Sequence, residues 1–137
     1  MPVSSLDALF SALESALESG DEEALRALYL PTAVIGHDLG RERFESTPEE
    51  AAADRVRLGI PIRASLRRLD VDGDSVRGEL VWAVEGVTPD GTELTLDGAA
   101  VLTCSDVGSA WYIASETVTC TQAAPFSSAS PSPSARR

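Results

Sequence analysis

No lysine occurs anywhere in the 137 residues; all eleven basic residues are arginine, set against twenty-two acids, for a formal charge of −11. A nucleic-acid binder needs a basic footprint to displace counterions from phosphates. Only Arg63, Arg67 and Arg68 cluster within the domain, and three arginines on a strand form a solvated face more readily than a phosphate track. Neither nucleic acid nor an anionic membrane is an expected partner. Long hydrophobic runs are missing as well. Nothing approaches the roughly 20 apolar residues of a membrane-spanning helix. The opening MPVSSLDALF has neither the basic start nor the greasy stretch of a secretory signal. The expected location is the cytoplasm.

Histidine occurs once, as His37, and cysteine twice, as Cys104 and Cys120. Two distant cysteines make neither a metal finger nor a C-x-x-C redox pair. No G-x-S-x-G, P-loop or H-E-x-x-H occurs, so no metal and no cofactor is expected.

What is present suits one ordinary domain. Hydrophobic residues make up 43% of the chain and charged residues 24%, enough apolar material for a core without a staple. Leu6, Leu9, Phe10, Leu13 and Leu17 recur at helical spacing and predict a helix over 5–19. Ser4 with Asp7 can cap its start and Gly20 its end. Asp21 opens a second helix with Leu25, Leu28 and Tyr29 on its apolar side, and Pro31 stops it. Residues 33–40 read as a strand running into a loop. Thr47-Pro48-Glu49-Glu50 has the capping Thr, the first-turn Pro and the returning Glu of a capping box. It opens a third, alanine-rich helix that closes at Gly59.

From Ile60 the period changes to alternation. Strands are expected near 62–71, 76–87, 93–105 and 110–120, joined by turns at Asp72-Gly73-Asp74, Pro89-Asp90-Gly91 and Asp106-Val107-Gly108-Ser109. Strands of about ten residues twist and must curl. Gly78, Gly86 and Gly98 inside them suggest bulges or bends. The expected fold class is α+β, with N-terminal helices packed on a strongly curved antiparallel sheet in the shape of a cone. Residues 1–122 form the domain, and the Ser/Pro/Ala-rich tail 123–137 is expected to be disordered. On these strands Cys104 and Cys120 stand some eight residues apart along the sheet, too far for a disulfide.

The stretch SALESGDEEALRALY, the T-x-x-E helix after a short strand and the closing Trp111-Tyr112-Ile113-Ala114-Ser115-Glu116 carry a resemblance to the NTF2-like superfamily, in its SnoaL-like and steroid-isomerase-like branch. It covers residues 5–120 and is one of pattern and order. It implies a cone whose wide end holds a ligand. It also implies a general base in the strand after the second helix, at His37 or Asp38, both able to move a proton. The isomerase-like members' oxyanion donors fall near Leu13 and Ala100, which can donate nothing. The paired histidines of the dehydratase members and the acid–Arg–acid set of the epoxide hydrolases have no counterpart.

Two classes of function follow. One is a binder of a small hydrophobic molecule, or an isomerase- or cyclase-type enzyme working by acid–base chemistry. His37 and Asp38 are then the catalytic candidates, and Trp82, Ala100, Tyr112 and Glu116 the ligand-lining ones. The other is a non-catalytic interaction module. Val81-Ala83 and Ala99-Val101, if outward, suit a homodimer under either reading. Whether Glu116 and Tyr112 face the pocket is open at this point, because one bulge reverses a strand's faces.

Overall fold

The computed structural model describes residues 5–38, 42–72 and 75–120. Among the described residues, three helices and six strands follow one another as α1 (Leu6–Ser19), α2 (Glu22–Ala27), β1 (Tyr29–Asp38), β2 (Arg43–Ser46), α3 (Pro48–Arg57), β3 (Ile62–Asp72), β4 (Ser75–Val87), β5 (Glu93–Val107) and β6 (Ala110–Cys120). The strands form one curved sheet in the order β2-β1-β6-β5-β4-β3. All neighbours are antiparallel except β1 and β6, which run parallel. The expected cone is thus an open sheet with one parallel seam, and the helices cover its inner face.

Local chemistry explains the helix ends. The Ser5 hydroxyl accepts from the Ala8 N–H, so the cap of α1 is Ser5 and not Ser4. Gly20 ends α1 at φ 70°, a conformation cheap only for glycine. At α3 both halves of the capping box form: the Glu50 N–H donates to Thr47 Oγ1, and the Thr47 N–H to Glu50 Oε1.

The second helix is shorter than its sequence suggests. It ends at Ala27, and the carbonyl of Leu28 already accepts from the Ile113 N–H of β6. Tyr29, read as a helical residue, is therefore the first residue of a strand, and Pro31 lies inside that strand. The β1–β6 register shifts between Tyr29 and Val34, so the missing N–H of Pro31 falls where the ladder is already interrupted. The edge strand β2 was not expected at all. The expected turn residues Gly73 and Asp74, the loop residues Leu39 and Gly40, and the tail 123–137 lie outside the described residues.

The four long strands match their expected ranges closely, but the glycines inside them do different work. Pairing of β4 with β5 runs unbroken from Val76↔Cys104 to Val87↔Glu93, with no bulge at Gly78, Gly86 or Gly98. They make room instead. A Cβ on Gly78 would stand 2.5 Å from the Phe10 ring; one on Gly98 would stand 2.6 Å from the Trp82 ring and collide with the Thr119 carbonyl. The bulges lie elsewhere. On β3 the register slips between Leu66 and Arg68, and the Leu66 N–H donates to Glu14 of α1 at 3.3 Å. On β6, Ala114 is the extra residue between Ile113↔Cys104 and Ser115↔Thr103.

The core lies between α1 and the inner face of the sheet. Leu9, Leu13, Leu25, Ile35, Leu102 and Ile113 are its fully buried centre. Helix α1 packs on β3, and α3 packs on α2 and β1. Ala51 and Ala52 bring α3 close to its neighbours and fill little volume. Cys104 pairs opposite Ile113, and Cys120 opposite Gly98. Both are thiols, separated along β5 by the span from Gly98 to Cys104, about 20 Å at roughly 3.3 Å per residue of strand.

Candidate functional site

The space between the helices and the sheet is incompletely filled, and α3 lines it with Asp54 and Arg55 rather than with its alanines. A cavity of about 280 Å³ remains, open at one end. Leu13 and Leu17 of α1, Leu80, Trp82 and Val84 of β4, and Leu96, Ala100 and Val118 line most of it. Leu102, which the alternation also turns inward, is buried beneath that lining. Four polar side chains enter this apolar surface: His37, Asp54, Arg55 and Glu116. Phe44, 45% exposed, stands at the mouth.

Three of the site's groups form a buried network. Glu116 projects inward from β6 with its side chain only 5% exposed, and Arg55 reaches it from α3 with 14% exposed. The Arg55 guanidinium donates to Glu116 Oε2 at 2.9 Å and to the Tyr29 hydroxyl at 2.9 Å. The Tyr29 hydroxyl in turn donates to Glu116 Oε1. Both carboxylate oxygens are thereby occupied, which offsets the cost of taking two charges out of water. Burial raises the Tyr29 pKa, and the charge of Glu116 raises it further, so the phenol stays protonated and keeps donating. Burial works against the charge of Arg55, but Glu116 and Tyr29 together outweigh it and hold the guanidinium protonated.

His37 lies next to this network on β1, opposite Val118 and two residues beyond Ile35, which pairs with Glu116. Its ring stacks on Phe44 of β2, with centroids 4.4 Å apart and planes 7° from parallel. Its Nε2 is buried and has no hydrogen-bond partner among the described residues. Such a nitrogen costs free energy unless something fills the vacancy. Burial and the nearby Arg55 charge both lower the His37 pKa, so the ring is neutral at pH 7.

The other candidates separate by face. Trp82 and Ala100 line the cavity, and the Trp82 indole N–H is anchored on the Ala99 carbonyl at 3.1 Å. Asp38 does not line it. Strand alternation turns Asp38 away from the cavity, and its carboxylate pairs with Arg43 at 3.5 Å in a second depression to which His37 and Phe44 also contribute. Tyr112 does not line it either: it pairs with Ser105, on the opposite face from Cys104 and Ile113. By plain alternation Tyr112 and Glu116 would share a face. The extra residue Ala114 reverses the strand, so Glu116 pairs with Leu102 and turns inward while Tyr112 stays outward.

Arg55 and Tyr29 were missed by sequence reasoning. Arg55 did leave a signal. It stands four residues after Ala51 and three after Ala52, on the buried face of α3, where an arginine demands a buried acid. Tyr29 left none, because its role depends on the early end of α2.

No family model matches the sequence, and no curated protein matches it. Solved structures do. An NTF-2-like protein of unknown function from Silicibacter pomeroyi superposes with a TM-score of 0.67 at 16% identity, over 84% of this chain and 92% of that one. An NTF2-like protein of unknown function from Shewanella baltica gives 0.67 at 12% identity, over 85% and 90%. A ketosteroid isomerase-like protein from Erwinia carotovora atroseptica gives 0.68 at 13% identity, over 85% and 94%. At such identities the likeness is one of fold.

Proposed function

The chain has the NTF2-like fold, and from that premise we propose that it binds a small, largely hydrophobic molecule in the cavity of its cone. One observation carries this reading: His37, whose buried Nε2 has no hydrogen-bond partner among the described residues, is one of the few polar residues lining an apolar cavity of about 280 Å³. An apolar wall with a few convergent polar groups is the usual make-up of a ligand site. A bound hydroxyl or carbonyl group would satisfy the orphaned nitrogen and bury its carbon skeleton against Leu80, Trp82 and Val118.

Within the same reading, the SnoaL-like, isomerase- or cyclase-type activity rests on His37. A neutral imidazole in an apolar site can take a proton from a carbon acid or pass one on. Leu13 and Ala100 line the cavity without offering a donor to a developing oxyanion, so binding is better supported than turnover. A homodimer through the outer sheet face belongs to this proposal too. Val81 and Ala83 of β4 share that face with Ala99 and Val101 of β5, and Val81 is 36% exposed.

The test is a thermal-shift screen with small hydrophobic alcohols, phenols and ketones, followed by titration of His37→Ala. The expected result is stabilisation by mass action and about tenfold weaker binding in the variant, roughly one lost hydrogen bond. A variant that binds equally well removes His37 from the site. A variant that barely folds makes His37 a structural residue.

A further inference from the structure

We propose that the cavity accepts only uncharged molecules, and that Glu116 is the residue that sets this charge specificity. The inference rests on the reading of the cavity as a ligand site and adds the class of ligand. An arginine lining a cavity would ordinarily point to a carboxylate or phosphate ligand. Here the guanidinium of Arg55 is committed to Glu116 and Tyr29 by hydrogen bonds of 2.9 Å. Arg55 and Glu116 cancel, His37 is neutral, and Asp54 at the mouth is paired with Arg57 at 2.9 Å. Among the described residues, the cavity therefore offers an incoming anion no uncompensated positive charge. Outside it, Glu45, Glu49 and Glu50 flank the Phe44–Asp54 side of the mouth, on a chain whose formal charge is −11. An anion would be repelled on approach and stripped of water without repayment. A cation would be drawn to the mouth but would meet a carboxylate whose two oxygens are already bonded.

The test uses three probes of nearly equal size: naphthol, naphthoate and naphthylmethylammonium, titrated by calorimetry into the full chain at pH 7 and low salt. Naphthol is expected to bind at least about tenfold more tightly than either ion. Naphthoate binding as tightly as naphthol would overturn the charge claim while leaving the ligand site standing, and so would the ammonium probe binding as tightly. No binding by any of the three would remove both. Glu116→Gln leaves Arg55 uncompensated in nearly the same shape, so the order of naphthol and naphthoate should reverse, and naphthoate should raise the variant's Tm more than the parent's. Tyr29→Phe alters the same network without altering its charge and should keep the parent's preference. An unreversed order in a folded Glu116→Gln protein would show that another group sets the specificity. If that variant does not fold, the probe ratios of the parent and of Tyr29→Phe still decide the matter.

Discussion

Replacing Glu116 by Gln keeps the volume and removes one charge, and the structure indicates what that should cost. Arg55 is left with its side chain 14% exposed and its ionic partner gone. One charge-assisted hydrogen bond at 2.9 Å is weakened, and the Tyr29 hydroxyl loses its anionic acceptor. Breaking a buried ion pair from one side costs about 3–5 kcal/mol, mostly because the remaining charge stays desolvated. At roughly 4 °C per kcal/mol for a domain of this size, Tm should fall by about 12–20 °C. The double variant Arg55→Met with Glu116→Leu removes both charges and should recover most of that loss, to within about 1 kcal/mol of the parent. Urea unfolding of the parent, Arg55→Met, Glu116→Leu and the double variant closes the cycle. A Glu116→Gln penalty under about 1 kcal/mol would refute the claim that the pair is a desolvated unit, and so would a double variant as unstable as the two single losses added together.

The depressed His37 pKa has a pH signature. The unfolded chain takes up the proton first as pH falls below 6.5, while the folded ring resists it, so stability present above pH 6.5 should decline as the solution is acidified. Unfolding midpoints of His37→Asn against the parent between pH 7.5 and 5 should show a shallower decline in the variant; equal slopes would contradict it. Burial pushes the Cys104 thiol up to about 11, so at pH 8 a thiol reagent should modify half-buried Cys120 well before Cys104. After unfolding without reductant both should react, and fewer than two equivalents would show a disulfide and overturn the register of β5 and β6. Light scattering at micromolar concentration should give a dimer, and Val81→Asp should convert it to a monomer; a monomeric parent removes the dimer proposal.

Much of the chain's organisation follows from residues that act locally. The capping box at Thr47–Glu50, the stop at Gly20 and the positive-φ turn at Gly108 and Ser109 are set by side chains within four residues of where they act. Hence α1, α3 and the four long strands can be placed from sequence within a few residues. The end of α2 cannot, because Leu28 leaves the helix for a hydrogen bond to Ile113, far along the chain. Likewise β2 is four residues long and exists by pairing with β1.

The site divides in the same way. Composition by itself determined that the chain is acidic and that it has one imidazole, and resemblance offered that imidazole, or Asp38 beside it, as a general base. Which side chains meet there was decided by the tertiary structure. The single extra residue Ala114 sends Glu116 inward and leaves Tyr112 outside, a choice that alternation along β6 could not make. Arg55 and Tyr29 reach Glu116 across separations of 61 and 87 residues. The attraction that joins them is strong only where water is excluded, and that exclusion exists only once the sheet has closed over the helices.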